Sequence, residues 1–248
     1  MQHDNARDYV IPFIENSFQL DSGMKVLEIG CAEGGVLLAF LEKGMSGVGV
    51  ELSPSRATQA KEFLKPYIEK GQAQVFSKNI YDESFEEMFK GQFDLIILKD
   101  VIEHIHGQPK LMKFMKTYLK PNGKIFFGFP PWQMPFGGHQ QVSNSKLGRM
   151  PWLHLLPRFM YRGCLKMFGE SQATIDELLD IYTTRISLER FERITKESGY
   201  QISGKQLYLI NPIYKYKFKL TPRKQFKLLG AIPWFRNFWT TCGYYLIG

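Results

Sequence analysis

One short stretch, residues 26–35 (VLEIGCAEGG), constrains the fold of this chain more than any other. An apolar run that contains a single acid leads directly into a turn of small residues. The six residues that follow, 36–41 (VLLAFL), have the composition of a helix. A buried strand, a tight glycine-rich turn and a helix start together predict a site for a nucleotide-type cofactor.

Strand and helix patterns alternate along the first half of the chain. Apolar segments predict strands over 24–29, 47–51, 74–77, 93–98 and 124–129. Helical patterns precede and separate them, over 8–18, 36–42, 53–69 and 109–119. This alternation predicts an α/β fold with a doubly wound, mostly parallel sheet.

The alternation ends after Pro131. Residues 132–185 are too long for a plain strand-to-helix connection, and they are rich in aromatic and aliphatic side chains. We therefore expect an inserted, partly helical cap at about 132–185, with its best helix over 173–182. The chain would form a single domain over 1–248.

Regular patterns resume after the cap. A helix is expected over 187–198, followed by strands over 200–209 and 240–247. Between these two strands we expect a basic insertion at about 212–237. Within it, residues 213–220 alternate apolar side chains with Lys215, Lys217 and Lys219, which predicts another strand with one cationic face.

The positive charge of the chain is concentrated near its end. The formal net charge is +8, and no acid follows Glu197, whereas eight lysines and arginines do. The lysine face has two interpretations: an edge strand protected against pairing, or a surface for anionic lipid or a phosphorylated substrate. A nucleic-acid partner is not favoured, because no recognition module is visible.

Cysteine usage and hydropathy bear on the compartment. Cys31, Cys164 and Cys242 are too widely spaced for a metal site or a disulfide framework. Neither a signal-peptide pattern nor a long uncharged apolar run is present. We therefore expect a cytoplasmic protein, with peripheral contact at a membrane as a further expectation.

Two cofactor fingerprints fit the opening turn. Gly30-x-Ala32-x-x-Gly35 loosely matches the dinucleotide pattern, and Glu51 follows Gly30 at the distance of a ribose-binding acid. Glu28-x-Gly30-x-Ala32-x-Gly34 matches a second spacing. An acid at position 28 would oppose a bound pyrophosphate, but it suits a zwitterionic amino acid with a sulfonium.

The second spacing resembles motif I of the class I S-adenosylmethionine-dependent methyltransferases. Residues 93–104 (FDLIILKDVIEH) look like motif IV and its following turn, and 119–125 (LKPNGKI) resemble the turn before the fifth strand. The resemblance implies a seven-stranded Rossmann-like sheet with a C-terminal antiparallel hairpin. It also implies S-adenosyl-L-methionine as cofactor, with S-adenosyl-L-homocysteine as product.

The resemblance also implies roles for individual residues. The ribose hydroxyls would bind Glu51, the adenine would contact Leu52, and Asn79 and Ile80 would lie at its amino group. The methionine end and the reactive methyl would be lined by Glu28, Gly30, Cys31, Gly34 and Lys99. Asn79 and Ala32 depart from the family pattern, and alanine at position 32 is tolerable if its φ is negative.

A hydroxyl acceptor would benefit from a base. His104 follows strand four, and His139 follows a glycine pair that would let its loop approach a ligand. Both are candidate catalytic residues, with Asp100. The spacing of Asp100, Glu103 and His104 is similar to that of quinone-pathway O-methyltransferases, some of which use a metal, but we predict a site without one.

The expected activity is methyl transfer to a small or lipid-like acceptor, at oxygen. A cap that is apolar yet cationic indicates an amphiphilic or anionic acceptor. Two alternatives remain open from the sequence. One is an NAD(P)-dependent oxidoreductase, and the other is a membrane- or nucleic-acid-associated binding protein on a degenerate cofactor fold.

Overall fold

The computed structural model describes all 248 residues. Its centre is one sheet of eight strands in the order β3-β2-β1-β4-β5-β8-β6-β7. The strands are β1 (Lys25–Ile29), β2 (Ser46–Glu51), β3 (Ala73–Ser77), β4 (Phe93–Lys99), β5 (Leu119–Phe129), β6 (Ile202–Ile210), β7 (Arg223–Lys224) and β8 (Cys242–Ile247). The first five are parallel and the last three are antiparallel to their neighbours, which confirms the predicted doubly wound α/β class.

Helices cover both faces of the sheet. They are α1 (Gln2–Asn5), α2 (Ile11–Glu15), α3 (Gly35–Glu42), α4 (Pro54–Phe63), α5 (Lys65–Glu69), α6 (Glu83–Phe89), α7 (Gln108–Phe114), α8 (Arg158–Met167), α9 (Gln172–Thr184), α10 (Leu188–Glu197), α11 (Tyr214–Phe218) and α12 (Lys227–Ala231). A π-helical turn, Ala6–Val10, joins α1 to α2. The helical pattern over 53–69 divides at Leu64, and Pro66 lies in the first turn of the second helix. None of the helices is long and apolar enough to cross a membrane.

Two apolar clusters of 26 buried residues each fill the space between the sheet and the helices. The central strands contribute to both because their side chains alternate between the faces. Val26 belongs to one cluster, whereas Leu27 and Ile29 belong to the other. The parallel strands therefore read as continuous apolar runs, as predicted. Their carboxyl ends lie along one edge of the sheet, where the candidate site is found.

The antiparallel end of the sheet differs from expectation in strand number. β8 lies between β5 and β6, as the predicted terminal hairpin requires. The prediction of seven strands is wrong by one, because β7 adds a two-residue pairing to β6.

The predicted lysine-faced strand over 213–220 is also wrong. Residues 214–218 form the short helix α11, in which Tyr214 and Phe218 pack together four positions apart. The hydroxyl of Tyr216 donates to the Asp8 carboxylate at 2.5 Å. Lys215 Nζ lies 3.6 Å from the same carboxylate. Contacts with the amino-terminal helical segment thus decide the local structure, and the three lysines do not form one strand face.

Residues 132–185 contain a small apolar cluster of their own. Its members come from the two helices of the segment, and they are Tyr161, Leu165, Ile175, Leu178 and Leu179. Three hydrogen bonds reach Glu170 from Asn144 and Ser145, which ties the loop of this segment to α9 at its start. The segment is thus internally packed and not an extended loop.

Candidate active site

The glycine-rich turn after β1 adopts a backbone that favours glycine at three alternate positions. Gly30, Ala32 and Gly34 all have positive φ, at 70°, 45° and 82°. A Cβ at Gly30 would lie 2.6 Å from Val101, and one at Gly34 would lie 2.8 Å from Leu64. The condition of a negative φ at Ala32 is not met. An L-residue there carries a strain of about 1–2 kcal/mol.

We expect Ala32→Gly to raise the free energy of unfolding by about 0.5–1 kcal/mol, because glycine relieves that strain at a modest entropic cost. Urea unfolding of the two proteins would measure the change. Gly34→Ala is the matched control, and it should destabilise the protein because φ and Leu64 both oppose a Cβ. A loss of stability in Ala32→Gly would contradict the assignment of strain.

Glu28 is buried beneath this turn. Its carboxylate accepts a hydrogen bond from the backbone N–H of Leu37, in the first turn of α3, at 2.8 Å. Burial raises the pKa of Glu28 to about 8, although this hydrogen bond and the Lys99 ammonium oppose the shift. The side chain therefore occupies the amino end of α3, where dinucleotide-binding folds place a pyrophosphate.

Most backbone donors of the turn are also engaged within the protein. The N–H groups of Gly30 and Cys31 donate to the carbonyl of Val50 at 2.8 and 3.2 Å. The N–H of Gly34 donates to the carbonyl of Cys31 at 2.7 Å. The turn thus offers few donors to a phosphate group.

Glu51, at the end of β2, holds the remaining part of the turn. One carboxylate oxygen accepts from the N–H of Ala32 at 3.0 Å, and the other accepts from the N–H of Ser53 at 2.9 Å. Each carboxylate oxygen has a further lone pair. The residue can therefore bind two neighbouring hydroxyls while it fixes the turn.

A cleft of about 480 Å³ opens beside the turn. It is lined by Met1, Gln2, His3, Glu28, Gly30, Cys31, Ala32, Glu33, Gly35, Val36, Gln59, Phe63 and Lys99. Of the predicted cofactor residues, Glu28, Gly30, Cys31 and Lys99 are in this wall. The sequence did not predict that Met1, Gln2 and His3 line the cleft. They can pack there because Gly35 has no side chain, and a Cβ at that position would lie 3.1 Å from Gln2.

The other predicted cofactor residues lie outside that wall. Leu52 is exposed, and the side-chain oxygen of Asn79 accepts from the N–H of Tyr81 at 3.0 Å. Ile80 is buried, and its carbonyl accepts a hydrogen bond from the hydroxyl of Tyr118. Glu51 at the end of β2 pairs with Ser77 at the end of β3. Leu52, Asn79 and Ile80 follow these two strand ends, so they lie along the same carboxyl edge of the sheet as the cleft.

Lys99 and Asp100 form an ion pair at the end of β4. The Lys99 side chain is buried, and its Nζ donates to the Asp100 carboxylate at 2.5 Å. Burial lowers the pKa of Lys99, but the charge and the hydrogen bond of Asp100, with smaller contributions from Cys242 and Glu103, together outweigh it, and the net shift is upward. Asp100 has a φ of 57°, and its N–H donates to the carbonyl of Gly128 on β5 at 2.7 Å.

The structure brings His104 and His139 together near Asp100. Their ring centroids are 4.9 Å apart, with an edge-to-face angle of 71°. Burial lowers the pKa of both rings, that of His139 to about 4, while the Asp100 charge opposes the shift. Both imidazoles are therefore neutral near pH 7 and able to accept a proton.

The glycine pair before His139 is closely packed against other parts of the chain. A Cβ at Gly137 would lie 2.2 Å from the carbonyl of Trp132, and one at Gly138 would lie 2.4 Å from His154. His154 is buried, with its two ring nitrogens 2.6 Å from the Trp132 carbonyl oxygen and 2.5 Å from the Gln140 amide. The cap loop is thereby fixed, and His139 is held at a φ of 57°.

Glu103 is the third group beside the two histidines. Its carboxylate is buried, and neither oxygen has a hydrogen-bond partner. Burial, reinforced by Asp100, raises the pKa of Glu103 well above its ordinary value. One ligand atom each from Glu103, His104 and His139 lies within 4.8 Å of the others, so these residues have the arrangement to hold a divalent cation. The metal-type spacing noted in the sequence was Asp100, Glu103 and His104, so the structure has His139 in place of Asp100.

The donor set fits S-adenosylmethionine better than a dinucleotide. The cleft combines the buried acid Glu28 with the cationic Lys99, which suits a ligand that carries ammonium, sulfonium and carboxylate groups. Gly30 lines the cleft with its backbone, and a Cβ there would collide with Val101. The helix terminus that would bind a pyrophosphate is occupied by Glu28.

Comparisons with known proteins agree with this geometry. The family model described as "Methyltransferase domain" matches residues 1–174. "Ubiquinone biosynthesis O-methyltransferase" of Idiomarina loihiensis is 30% identical over 115 residues, which cover 46% of each chain. The enzyme of the same name from Pseudomonas aeruginosa is 29% identical over 105 residues, 42% of this chain and 44% of the relative. The matched region thus spans about half the length of these curated relatives.

Solved structures share the fold. A geranyl diphosphate methyltransferase, solved with GPP and sinefungin, superposes with a TM-score of 0.59 at 13% identity, covering 95% of this chain and 75% of the other. The YcgJ protein of Bacillus subtilis superposes with a TM-score of 0.56 at 14% identity, covering 99% and 98% of the two chains.

The fold is that of the class I S-adenosylmethionine-dependent methyltransferases. The chain belongs to the methyltransferase-domain family whose model covers its first 174 residues. This confirms the family, the fold class and the cofactor class predicted from motifs I and IV.

Proposed function

We propose that this protein transfers a methyl group from S-adenosylmethionine to an oxygen atom of a small, amphiphilic acceptor. The observation that supports this most directly is the buried Glu28 carboxylate at the amino end of α3. It blocks the position of a pyrophosphate and presents an acid to a cationic ligand. The names of the curated relatives support oxygen as the acceptor atom.

In this proposal the turn and the strand ends position the cofactor. The amino acid portion lies over Gly30, Cys31 and Gly34, with Glu28 and Lys99 facing its charged groups. Glu51 accepts hydrogen bonds from the ribose hydroxyls, and Leu52, Asn79 and Ile80 surround the adenine. The bound cofactor supplies a methyl group already activated by its sulfonium, so the chain chiefly has to orient and desolvate the reactants.

The acceptor proton goes to a histidine. We propose His139 as the base, because it belongs to the cap loop, is buried and neutral, and lies edge-to-face with His104. Asp100 would stabilise the imidazolium after proton transfer, since its charge already acts on both rings. These roles need no metal. Together with Glu103, however, the same two histidines could also bind a divalent cation.

The cap at residues 132–185 is proposed to cover the acceptor. It places His139 beside the end of β4 and encloses a small apolar cluster. Its outer surface carries exposed Phe159 and Met167 together with Arg158 and Arg162. An acceptor with an apolar body and an anionic or hydroxylated head would match this combination.

Calorimetry tests the cofactor assignment. We expect S-adenosylhomocysteine to bind with measurable heat and NAD to give none. Glu51→Ala should weaken binding of S-adenosylhomocysteine by about tenfold to a hundredfold, because it removes two acceptors for the ribose and loosens the turn. Glu33→Gln, an exposed change in the same cleft, is the control. Heat from NAD alone would overturn the proposal.

Peripheral contact with a membrane is also proposed, but not through a lysine face made of Lys215, Lys217 and Lys219. Lys215 and Lys217 lie on α11 and Lys219 directly follows it. All three are exposed, and Lys215 is paired with Asp8. A better surface for such contact lies farther along the chain.

A further inference from the structure

The segment of residues 223–239 has an inverted distribution of side chains. Six of its large apolar side chains are exposed over 43–84% of their surface. They are Phe226, Leu228, Ile232, Trp234, Phe235 and Trp239. The polar residues Gln225, Arg236 and Asn237 are instead buried. Folding alone favours the opposite arrangement, and contiguous exposed apolar side chains indicate an interaction surface.

The buried polar residues hold this segment against α10. Arg236 forms ion pairs with Glu189 at 2.8 Å and with Glu192 at 2.9 Å. The side chain of Asn237 donates to Glu189 at 2.6 Å and accepts from the N–H of Leu188 at 2.8 Å. The exposed aromatic residues are therefore presented by a well-anchored framework.

A second contact closes the segment on itself. The side-chain amide of Gln225 donates to the carbonyl of Trp239 at 2.6 Å. This brings the two ends of the segment together, so that Phe226 and Trp239 lie at neighbouring positions. The apolar side chains thus belong to one region of the surface.

The charge around these side chains is of one sign. Arg223, Lys224 and Lys227 are exposed, and no acid follows Glu197 in the sequence. The nearest acids on α10, Glu189 and Glu192, are already paired with Arg236. A surface that combines exposed tryptophan, phenylalanine and leucine with unpaired cations complements the interface of an anionic bilayer.

From this arrangement we infer that residues 223–239 are a docking surface for anionic membranes. The apolar side chains insert among the lipid headgroups, and Arg223, Lys224 and Lys227 contact the lipid phosphates. This deepens the proposed function by naming the surface through which the enzyme would meet an amphiphilic acceptor. Docking itself requires neither acceptor nor cofactor.

Vesicle co-sedimentation tests the inference with the full chain. We expect binding to vesicles of phosphatidylcholine mixed with phosphatidylglycerol, weak binding to phosphatidylcholine alone, and a loss of binding as salt is raised. Phe226→Ser with Leu228→Ser should reduce binding about tenfold or more. Lys224→Gln with Lys227→Gln should remove the preference for phosphatidylglycerol.

Met88→Ser is the matched control, because Met88 is an exposed aliphatic residue on the acidic helix α6. It should bind vesicles as the parent protein does, and thermal unfolding would verify that all variants are folded. Equal binding by the parent and the Phe226/Leu228 variant would overturn the inference. The inference would also be overturned if the parent protein formed a dimer in solution and did not bind vesicles, and if the Phe226/Leu228 variant were monomeric. Since S-adenosylhomocysteine binding is measured separately, a failure here leaves the proposed activity standing.

Discussion

Replacing Glu28 with glutamine is expected to stabilise the ligand-free protein at alkaline pH while it weakens cofactor binding. Burial raises the pKa of Glu28 to about 8 in the folded chain, from 4.5 as its ordinary value. The folded state therefore holds a proton that the unfolded state releases. The stability that this proton confers is full below pH 4.5 and is lost as the pH rises through 8.

Glutamine imitates the neutral acid and can still accept the Leu37 N–H hydrogen bond. At pH 8.5 we expect Glu28→Gln to exceed the parent protein in unfolding free energy by on the order of 3 kcal/mol. A series of thermal melts from pH 5 to pH 9 would measure the divergence. Binding of S-adenosylhomocysteine should weaken by about tenfold or more, since the ammonium group of the ligand favours the ionised form of Glu28, which glutamine cannot adopt.

Glu33→Gln is the control, because it removes the same charge from the same cleft at an exposed position. Its unfolding free energy should run parallel to that of the parent protein across the pH range. Parallel curves for Glu28→Gln as well would show that Glu28 stays ionised in the ligand-free protein. A glutamine variant that binds ligand as tightly as the parent would remove Glu28 from the cofactor site.

Loss of the His139 imidazole should reduce methyl transfer strongly while leaving cofactor binding intact. We expect His139→Ala to lower kcat about 100-fold to 1,000-fold, the usual effect of removing a general base. The low pKa of His139, about 4, keeps the ring neutral over most of the accessible pH range. kcat/KM of the parent should therefore stay level from pH 8 down through 6.5 and decline only at more acidic pH.

His106→Ala is the matched control, since His106 is exposed, pairs with Asp180 at 3.0 Å and is not part of the histidine pair. Its kcat should change about twofold or less, as is usual for an exposed residue. A chelator separates the two uses of the histidines. Activity that is lost with chelator and restored by a divalent cation would show that Glu103, His104 and His139 act as metal ligands, in place of the base that we propose.

The parts of this protein that sequence predicts well are set by local patterns. Strands β1 to β5 are apolar runs of the right length, and the acid and glycines after β1 have a fixed spacing. Physical reasoning from these features reaches the family and its cofactor class. His104 and His139 each follow the carboxyl end of a neighbouring strand, which makes both candidate bases, but the sequence does not predict their contact.

The features that were missed depend on contacts between distant residues. Asp8 on the amino-terminal helical segment pairs with Tyr216 and Lys215, which turns an alternating sequence into the helix α11. His139 is missing from the predicted set of metal-capable groups, which has Asp100 in its place, because His139 comes from residues 132–185 and not from the turn after β4. Neither partner is visible from spacing along the chain.

The position of α1 has a practical consequence for handling the protein. Met1, Gln2 and His3 form part of the cleft wall, so any peptide fused to the amino end would leave from the rim of the cleft that we propose for the cofactor. Gly248 instead lies beside Gly123, and the end of β8 pairs with Ile125, away from the carboxyl ends of the parallel strands. Affinity tags for enzymatic assays therefore belong at the carboxyl terminus.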